Sequence, residues 1–309
     1  LVNVPVGAVV FALCWKLLPR HAGEAEGQRQ LDVWGAVTVT LALLLANYAT
    51  INGNQAGWTS LETLGTFGAA LALFVAFLVV ETRVKKPLVP LAMFRLRNLA
   101  VSSVSGILWS AAMFSWFFLS ALYMQLVLGF TPMQIGLAFL PSNVIMAVMS
   151  LGFSAKLVMR FGIKRPLFAG LLCAAAGLLL FARTPVDGTL LRDVLPGMIL
   201  LGIGAGVAFN PVLMAAMSEV KEADSGLASG LVNTAFMLGG ALGLAVLASV
   251  AAARTAGLAA AGTDHLSALT GGYQAAFLCG ACFALLGAVL GVALLRIPSA
   301  VAKPATATE

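Results

Sequence analysis

Charge is scarce in this chain. Only 10% of its 309 residues are Asp, Glu, Lys or Arg, against about 25% in soluble domains. Histidine is scarcer still: His21 and His265 stand far apart in polar linkers. No His-acid-Ser set, paired acids within an apolar segment or metal-ligand cluster can be assembled from these residues. The pattern supports neither a hydrolase nor a metalloenzyme, and no cofactor site is expected. No linker between the apolar segments exceeds about 20 residues, which leaves no room for a catalytic domain outside those segments. The opening Leu1-Val-Asn-Val-Pro5 has no Met and no charged flank, so it reads as neither a signal peptide nor an ordinary start. The four cysteines, Cys14, Cys173, Cys279 and Cys282, all fall inside apolar segments. Cys279-Gly-Ala-Cys282 has a redox or metal spacing, but without a nearby His or acid in an apolar helix it reads as small buried thiols.

What the chain has instead is long apolar runs, and hydrophobic residues make up 61% of it. Nine stretches of 17 to 32 residues carry no charged residue in their middles: 1–18, 33–51, 61–80, 99–130, 133–155, 166–182, 194–218, 226–253 and 273–295. About 20 residues at 1.5 Å each cross a hydrocarbon core of about 30 Å. The fold class is therefore all-α, a polytopic membrane helical bundle of about nine transmembrane helices. In a soluble chain the net charge of +6 would invite a nucleic-acid partner; here the partner is the lipid bilayer.

The basic residues are distributed unevenly. Linkers alternating from the first span, together with the C-terminal tail, hold fifteen Lys and Arg, whereas the opposite set holds only Arg183, Arg192 and Arg254. Lys and Arg accumulate on the cytoplasmic side, so the C-terminus is expected there, in a multi-pass protein of the cell membrane. Glu219, Glu222 and Asp224 make one cytoplasmic turn acidic, and acids contribute little to that rule. Pro90 to Asn98 suits a short interfacial helix with Leu91 and Phe94 on one side and Arg95 and Arg97 on the other. Trp58 suits the outer interface. The uncharged turn Gly129-Phe-Thr-Pro132 is expected to join 99–130 and 133–155 as an antiparallel helical pair.

Within 99–130, Ser105, Trp109, Met113, Trp116, Ser120 and Tyr123 recur at spacings of three and four, so they share one helix face. A stripe of hydroxyls, indoles and a thioether suits a wide amphipathic cavity, opposed by Asn233, Phe236 and Met237. The alternative is helix–helix packing with incidental serines. Asn143, Asn210 and Asn233 lie within spans, where an unpaired amide costs several kcal/mol, so each is expected to face another helix or water. Pro211 after Asn210 frees a carbonyl, which suits either a kink or interhelical bonding. Gly202-Ile-Gly204-Ala-Gly206 imitates part of a dinucleotide fingerprint, but no strand precedes it. It reads as close helix packing, as do Gly226/Gly230, Gly239/Gly243 and Gly287/Gly291.

The order of several short motifs resembles one family. Asn3-Val-Pro5-Val-Gly7, Asp32-x-x-Gly35 with Gly57-Trp58, and Pro87-Leu-Val-Pro90-Leu-x-x-Phe94 come first. Tyr123-Met-Gln125-Leu-Val-Leu-Gly129-Phe-Thr-Pro132 and Gly136-Leu-Ala-Phe-Leu-Pro141 follow, then Gly226-Leu-Ala-Ser-Gly230-Leu-Val-Asn233-Thr with Gly239-Gly-Ala-Leu-Gly243. Together they resemble the 14-span drug:proton antiporters of the major facilitator superfamily. The resemblance implies a C-terminal fragment: 1–18 the last helix of the N-terminal half, 19–98 a linker with two inserted helices and an interfacial segment, 99–296 the six-helix C-terminal half, and 297–309 a cytoplasmic tail. It implies a non-enzymatic secondary transporter exporting small amphipathic substrates by alternating access, with protons as the coupling partner; a carrier for one metabolite or natural product is the alternative. Where many relatives have an Arg-Gln pair, this chain has Ala235-Phe236-Met237. The turn containing Arg160, Gly162, Lys164 and Arg165 resembles a degenerate copy of the superfamily's basic gate motif, although simple topology would also account for its charge.

Overall fold

The computed structural model describes residues 3–17, 32–57, 60–84 and 91–296. Trp58 and the tail 297–309 lie outside the described residues. The regular elements are helical: α1 Asn3–Leu17, α2 Val33–Ala56, α3 Leu61–Arg83, α4 Arg97–Leu126, α5 Pro132–Val148, α6 Ser154–Phe161, α7 Lys164–Phe181, α8 Leu195–Met217, α9 Ser225–Ala260 and α10 His265–Leu294. A π-helical segment, Met149–Phe153, joins α5 to α6, so Pro132–Phe161 runs as one span. Among the described residues, eight helices are long and apolar enough to cross a membrane, and α1 adds a shorter apolar one.

Local chemistry sets the boundaries. α4 ends early, at Leu126, because Gly129 takes a left-handed φ of 70° that reverses the chain. Thr131 then caps α5. Its hydroxyl accepts from the Gln134 N–H, the Gln134 carbonyl oxygen accepts from the Thr131 N–H at 2.8 Å, and Pro132 fills the first helical position. α10 starts eight residues before the expected 273, because the Asp264 carboxylate caps it by accepting the Ser267 N–H. At α2, Asp32 accepts the Gly35 N–H at 2.8 Å, and a Cβ at Gly35 would strike that carboxylate.

In the last six spans α4 packs on α9, α9 on α10, α10 on α7 and α7 on α8, and the ring closes through α8 on α4; α5 packs on α8, and α4 also packs on α10. α2 and α3 pair with each other, and α2 touches α9. Val9, Phe11, Leu13 and Trp15 of α1 are exposed. Beyond the turn α4 and α5 meet mainly through Trp116 and Phe117 on Phe139, while their closest packing is α4 on α9 and α5 on α8. The reason is glycine. A Cβ on Gly204 would come within 2.6 Å of the Ala174 backbone in α7, while Gly202 and Gly206 lie as close to Ser142 and Met146 of α5. The Gly202-x-Gly204-x-Gly206 run thus admits a neighbour on each side of α8. Gly239 and Gly243 do the same for α9 against Ile107 and Ala111. Gly226 and Gly230 do not, since nothing lies within 4 Å of a Cβ built on either.

The short helix expected over 90–98 is shorter in the structure. Leu91–Arg95 is a 3₁₀ turn, and Arg97 and Asn98 already belong to α4. Met93 turns into the core and Phe94 is exposed. Asn98 is fully buried as a junction: its amide nitrogen donates to Ser218 Oγ and the Arg296 carbonyl, and its oxygen accepts from the Arg296 N–H. Glu219 Oε2 accepts the Asn98 N–H at 3.0 Å, so the acid in the unusual turn caps the N-terminus of α4 from a neighbouring helix.

In the full-length protein, Gly204→Leu is expected to reduce the folded, monodisperse fraction in detergent. Overpacking of this kind costs about 1–3 kcal/mol. Gly226→Ala, with open space around it, is expected to leave the elution profile unchanged.

Candidate functional site

Burial sorts the α4 stripe. Met113, Trp116, Ser120 and Tyr123 are all buried, and Met113, Trp116 and Tyr123 belong to a cluster with α7, α8 and α10. Trp116 leans on Phe117 and on Phe139 of α5. Tyr123 donates its hydroxyl to the Pro185 carbonyl at 2.6 Å and holds down the α7–α8 loop, which Gln274 also grips through the Thr184 carbonyl. Ser105 faces the α10 glycines, close to Gly291. These five side chains are placed for packing within the ring.

Trp109 differs. It is half-buried, and its indole meets Phe209 of α8 and Phe236 of α9 at centroid distances of 5.6 and 5.8 Å, while Phe209 and Phe236 lie 5.8 Å apart. Three helices thus contribute one ring each to a single cluster. Phe236 reaches it by lying across Gly106, where any side chain would collide with the ring. Phe209 is half-buried like Trp109, so the cluster is not sealed on that side. The Trp109 Nε1–H, like that of the packed Trp116, is buried and has no acceptor among the described residues; only at Trp109 does the cluster lie half-open. A donor left unpaired costs about 1–3 kcal/mol, and a ligand acceptor would recover it. Such a cluster offers aromatic faces, one hydrogen-bond donor and no charge.

Asn233 and Met237 flank Phe236 on α9 but are exposed, so of the expected opposing trio only Phe236 meets the stripe, and it does so through Trp109. Gly226, Gly230, Asn233 and Met237 form one open face of α9 at helical spacing. Asn143 is exposed on α5, without a hydrogen-bond partner among the described residues.

Asn210 is bonded. Its amide nitrogen donates to the Ser150 carbonyl at 2.8 Å, within the π segment. One turn away the reverse bond forms: Pro211 has no N–H for the Val207 carbonyl, and Ser154 Oγ donates to that oxygen at 3.2 Å. The proline break in α8 and the π break between α5 and α6 therefore satisfy each other. Sequence reasoning singled out Asn210 and Pro211 but missed Phe209, Ser150 and Ser154. Phe209 could have been found as the aromatic beside that pair; the serines carry no periodic signal.

In the basic turn, Gly162 ends α6 with a φ of 74°. Lys164 donates to the Val292 carbonyl, as Arg97 does to that of Leu294, so both cations cap the C-terminus of α10. Arg160 lies over the Phe161 ring at 5.2 Å, and Arg165 is exposed.

The sequence profile of the Major Facilitator Superfamily matches residues 1–244. The chain belongs to that superfamily. Among curated relatives, it is 33% identical to a cephamycin export protein of Amycolatopsis lactamdurans over 86% of this chain and 55% of the relative. It is 32% identical to a puromycin resistance protein of Streptomyces alboniger over 95% and 59% of the two chains. It is 31% identical to a tetracenomycin C resistance and export protein of Streptomyces glaucescens over 82% and 46%. The chain spans about half the length of these superfamily relatives.

Ser154→Ala in the full-length protein, which strips the donor from the Val207 carbonyl, is expected to cost about 1–3 kcal/mol. Ser142→Ala, whose hydroxyl bonds only the Phe139 carbonyl of its own helix, is expected to cost clearly less. Unfolding by SDS titration checks both.

Proposed function

We propose that this chain forms part of a secondary active transporter that exports small amphipathic compounds across the cell membrane by alternating access, in exchange for protons. The observation that carries the reading is the half-open cluster of Trp109, Phe209 and Phe236 with its unpaired indole N–H. Aromatic faces without charge accept flat or greasy molecules of many shapes, and one donor orients them. The names of the relatives, export and resistance proteins for several unrelated antibiotics, support the same class.

The exposed amides of Asn143 and Asn233 support a substrate path along that side. An unpaired amide facing lipid is costly, so α5 and the open face of α9 are read as turned toward a water-filled path or a further set of helices. Met113, Trp116, Ser120, Tyr123 and Ser105 support that path from behind, and Asn210 keeps α8 joined to the π segment. α4, α5, α7, α8, α9 and α10 contain no Asp or Glu, so the proton-binding acid is sought outside these six helices. Arg160, Gly162, Lys164 and Arg165 are read as the cytoplasmic gate turn, with Lys164 anchoring it to α10. The C-terminus is read as cytoplasmic.

In cells expressing the full-length protein, Trp109→Ala is expected to change efflux unequally among several dyes, severalfold for some and little for others, at an unchanged membrane protein level. Uniform loss in step with lost protein would assign Trp109 to packing. Saturable handling of one solute alone would favour the single-metabolite carrier.

In a cysteine-free background, Asp187→Cys is expected to react with an impermeant thiol reagent in intact cells and Lys221→Cys only after permeabilisation. The reverse pattern would invert the topology.

A further inference from the structure

The end of the bundle opposite the Lys- and Arg-rich turns has only three Lys or Arg residues, and two of them border the same cavity. Arg183, just beyond the end of α7, and Arg254, within α9, line one cavity of about 440 Å³ together with Leu179, Gln274, Ala275 and Leu278. Neither guanidinium has a hydrogen bond or ion pair among the described residues. Of the acids at this end, Asp193 accepts the Thr189 N–H and hydroxyl, Asp264 accepts the Ser267 N–H, and Asp187 forms no ion pair with either arginine among the described residues. Two arginines concentrated at one mouth, rather than spread around the rim, repel each other unless an anion lies between them. The position of Gln274 is fixed, because its amide nitrogen already donates to the Thr184 carbonyl at 2.9 Å.

The walls identify the source of the anion. Leu179 of α7 and Leu278 of α10 are exposed on the outer surface of the ring, and below them Leu172 on α7 and Leu285 and Val289 on α10 continue the apolar groove. A soluble anion would gain nothing from this groove, whereas acyl chains would cover it. Arg is also the cation whose planar fork suits a phosphate best.

We infer that Arg183 and Arg254 clamp the phosphate of an anionic phospholipid, whose acyl chains lie along Leu179 and Leu278. The site is separate from the Trp109 cluster and does not depend on which compounds the protein exports.

The test is native mass spectrometry of the full-length protein, delipidated in detergent and titrated with phosphatidylglycerol, phosphatidylcholine or inorganic phosphate. Phosphatidylglycerol is expected to bind in preference to phosphatidylcholine, with phosphate failing to compete at tenfold excess. Arg183→Gln/Arg254→Gln is expected to weaken phosphatidylglycerol binding at least tenfold. Ala275→Phe, which fills the cavity and keeps both charges, is expected to do the same. Unchanged binding in either variant would overturn the site, and effective competition by inorganic phosphate would overturn the lipid assignment. Should the double glutamine variant fail to fold, Ala275→Phe and the charge-preserving Arg183→Lys/Arg254→Lys decide the matter: binding lost in the first and weakened but retained in the second is the expected pair, and any other pair overturns the proposal.

Discussion

The hydrocarbon core supplies no hydrogen bonds, so any break in a helix must be mended from within the protein. This constraint organises the six-helix ring. The Val207 carbonyl freed by Pro211 is taken by Ser154, and the Ser150 carbonyl in the π segment is taken by Asn210. Each irregularity is acceptable only because the other lies beside it. At the Lys- and Arg-rich end the same logic applies to helix termini: Lys164 and Arg97 close the carbonyls of α10, and Glu219 closes an N–H of α4.

Two kinds of helix contact follow from two kinds of residue. Where glycine meets backbone, as between Gly204 and Ala174, the helices are drawn close and leave no space for a ligand. Where aromatic rings meet, as among Trp109, Phe209 and Phe236, adaptable side chains fill the space between the helices. Phe236 depends on both, since its ring occupies the space that Gly106 leaves empty. The serines of α4 reflect the same division: most are small buried spacers, and Ser105 lies against α10 rather than in an open chamber.

Helix number and approximate position were legible in the sequence because the need to span a bilayer overrides weaker propensities. Helix ends were less so. His265, Ser267 and Thr270 look like linker residues, yet the Asp264 cap draws them into α10, and Arg254 lies within α9. The residues of the α4 stripe are buried or half-buried, but periodicity does not distinguish a face turned to a cavity from one turned to a core. Glu219 looked like an exception to a charge rule until its contact with Asn98, 121 positions away, explained it. The π segment had no signal at all, because its cause lies in α8.

The length of α9 has a mechanical consequence. Its 36 residues extend about 54 Å, well beyond what a bilayer core requires. Its closest contact with α4 lies at Gly239 and Gly243, so a long arm projects on one side of that contact. Ala260 is 17 residues, or about 25 Å, from Gly243, so a tilt of about 10° about the contact would carry it about 4 Å. Gly271 and Gly272 of α10 lie against Leu258 and Thr255 and would travel with it. The glycine pair is thus placed as a fulcrum and the hairpin beyond it as a lever: Phe236, 7 residues or about 10 Å from Gly243, would move about 2 Å where Ala260 moves about 4 Å.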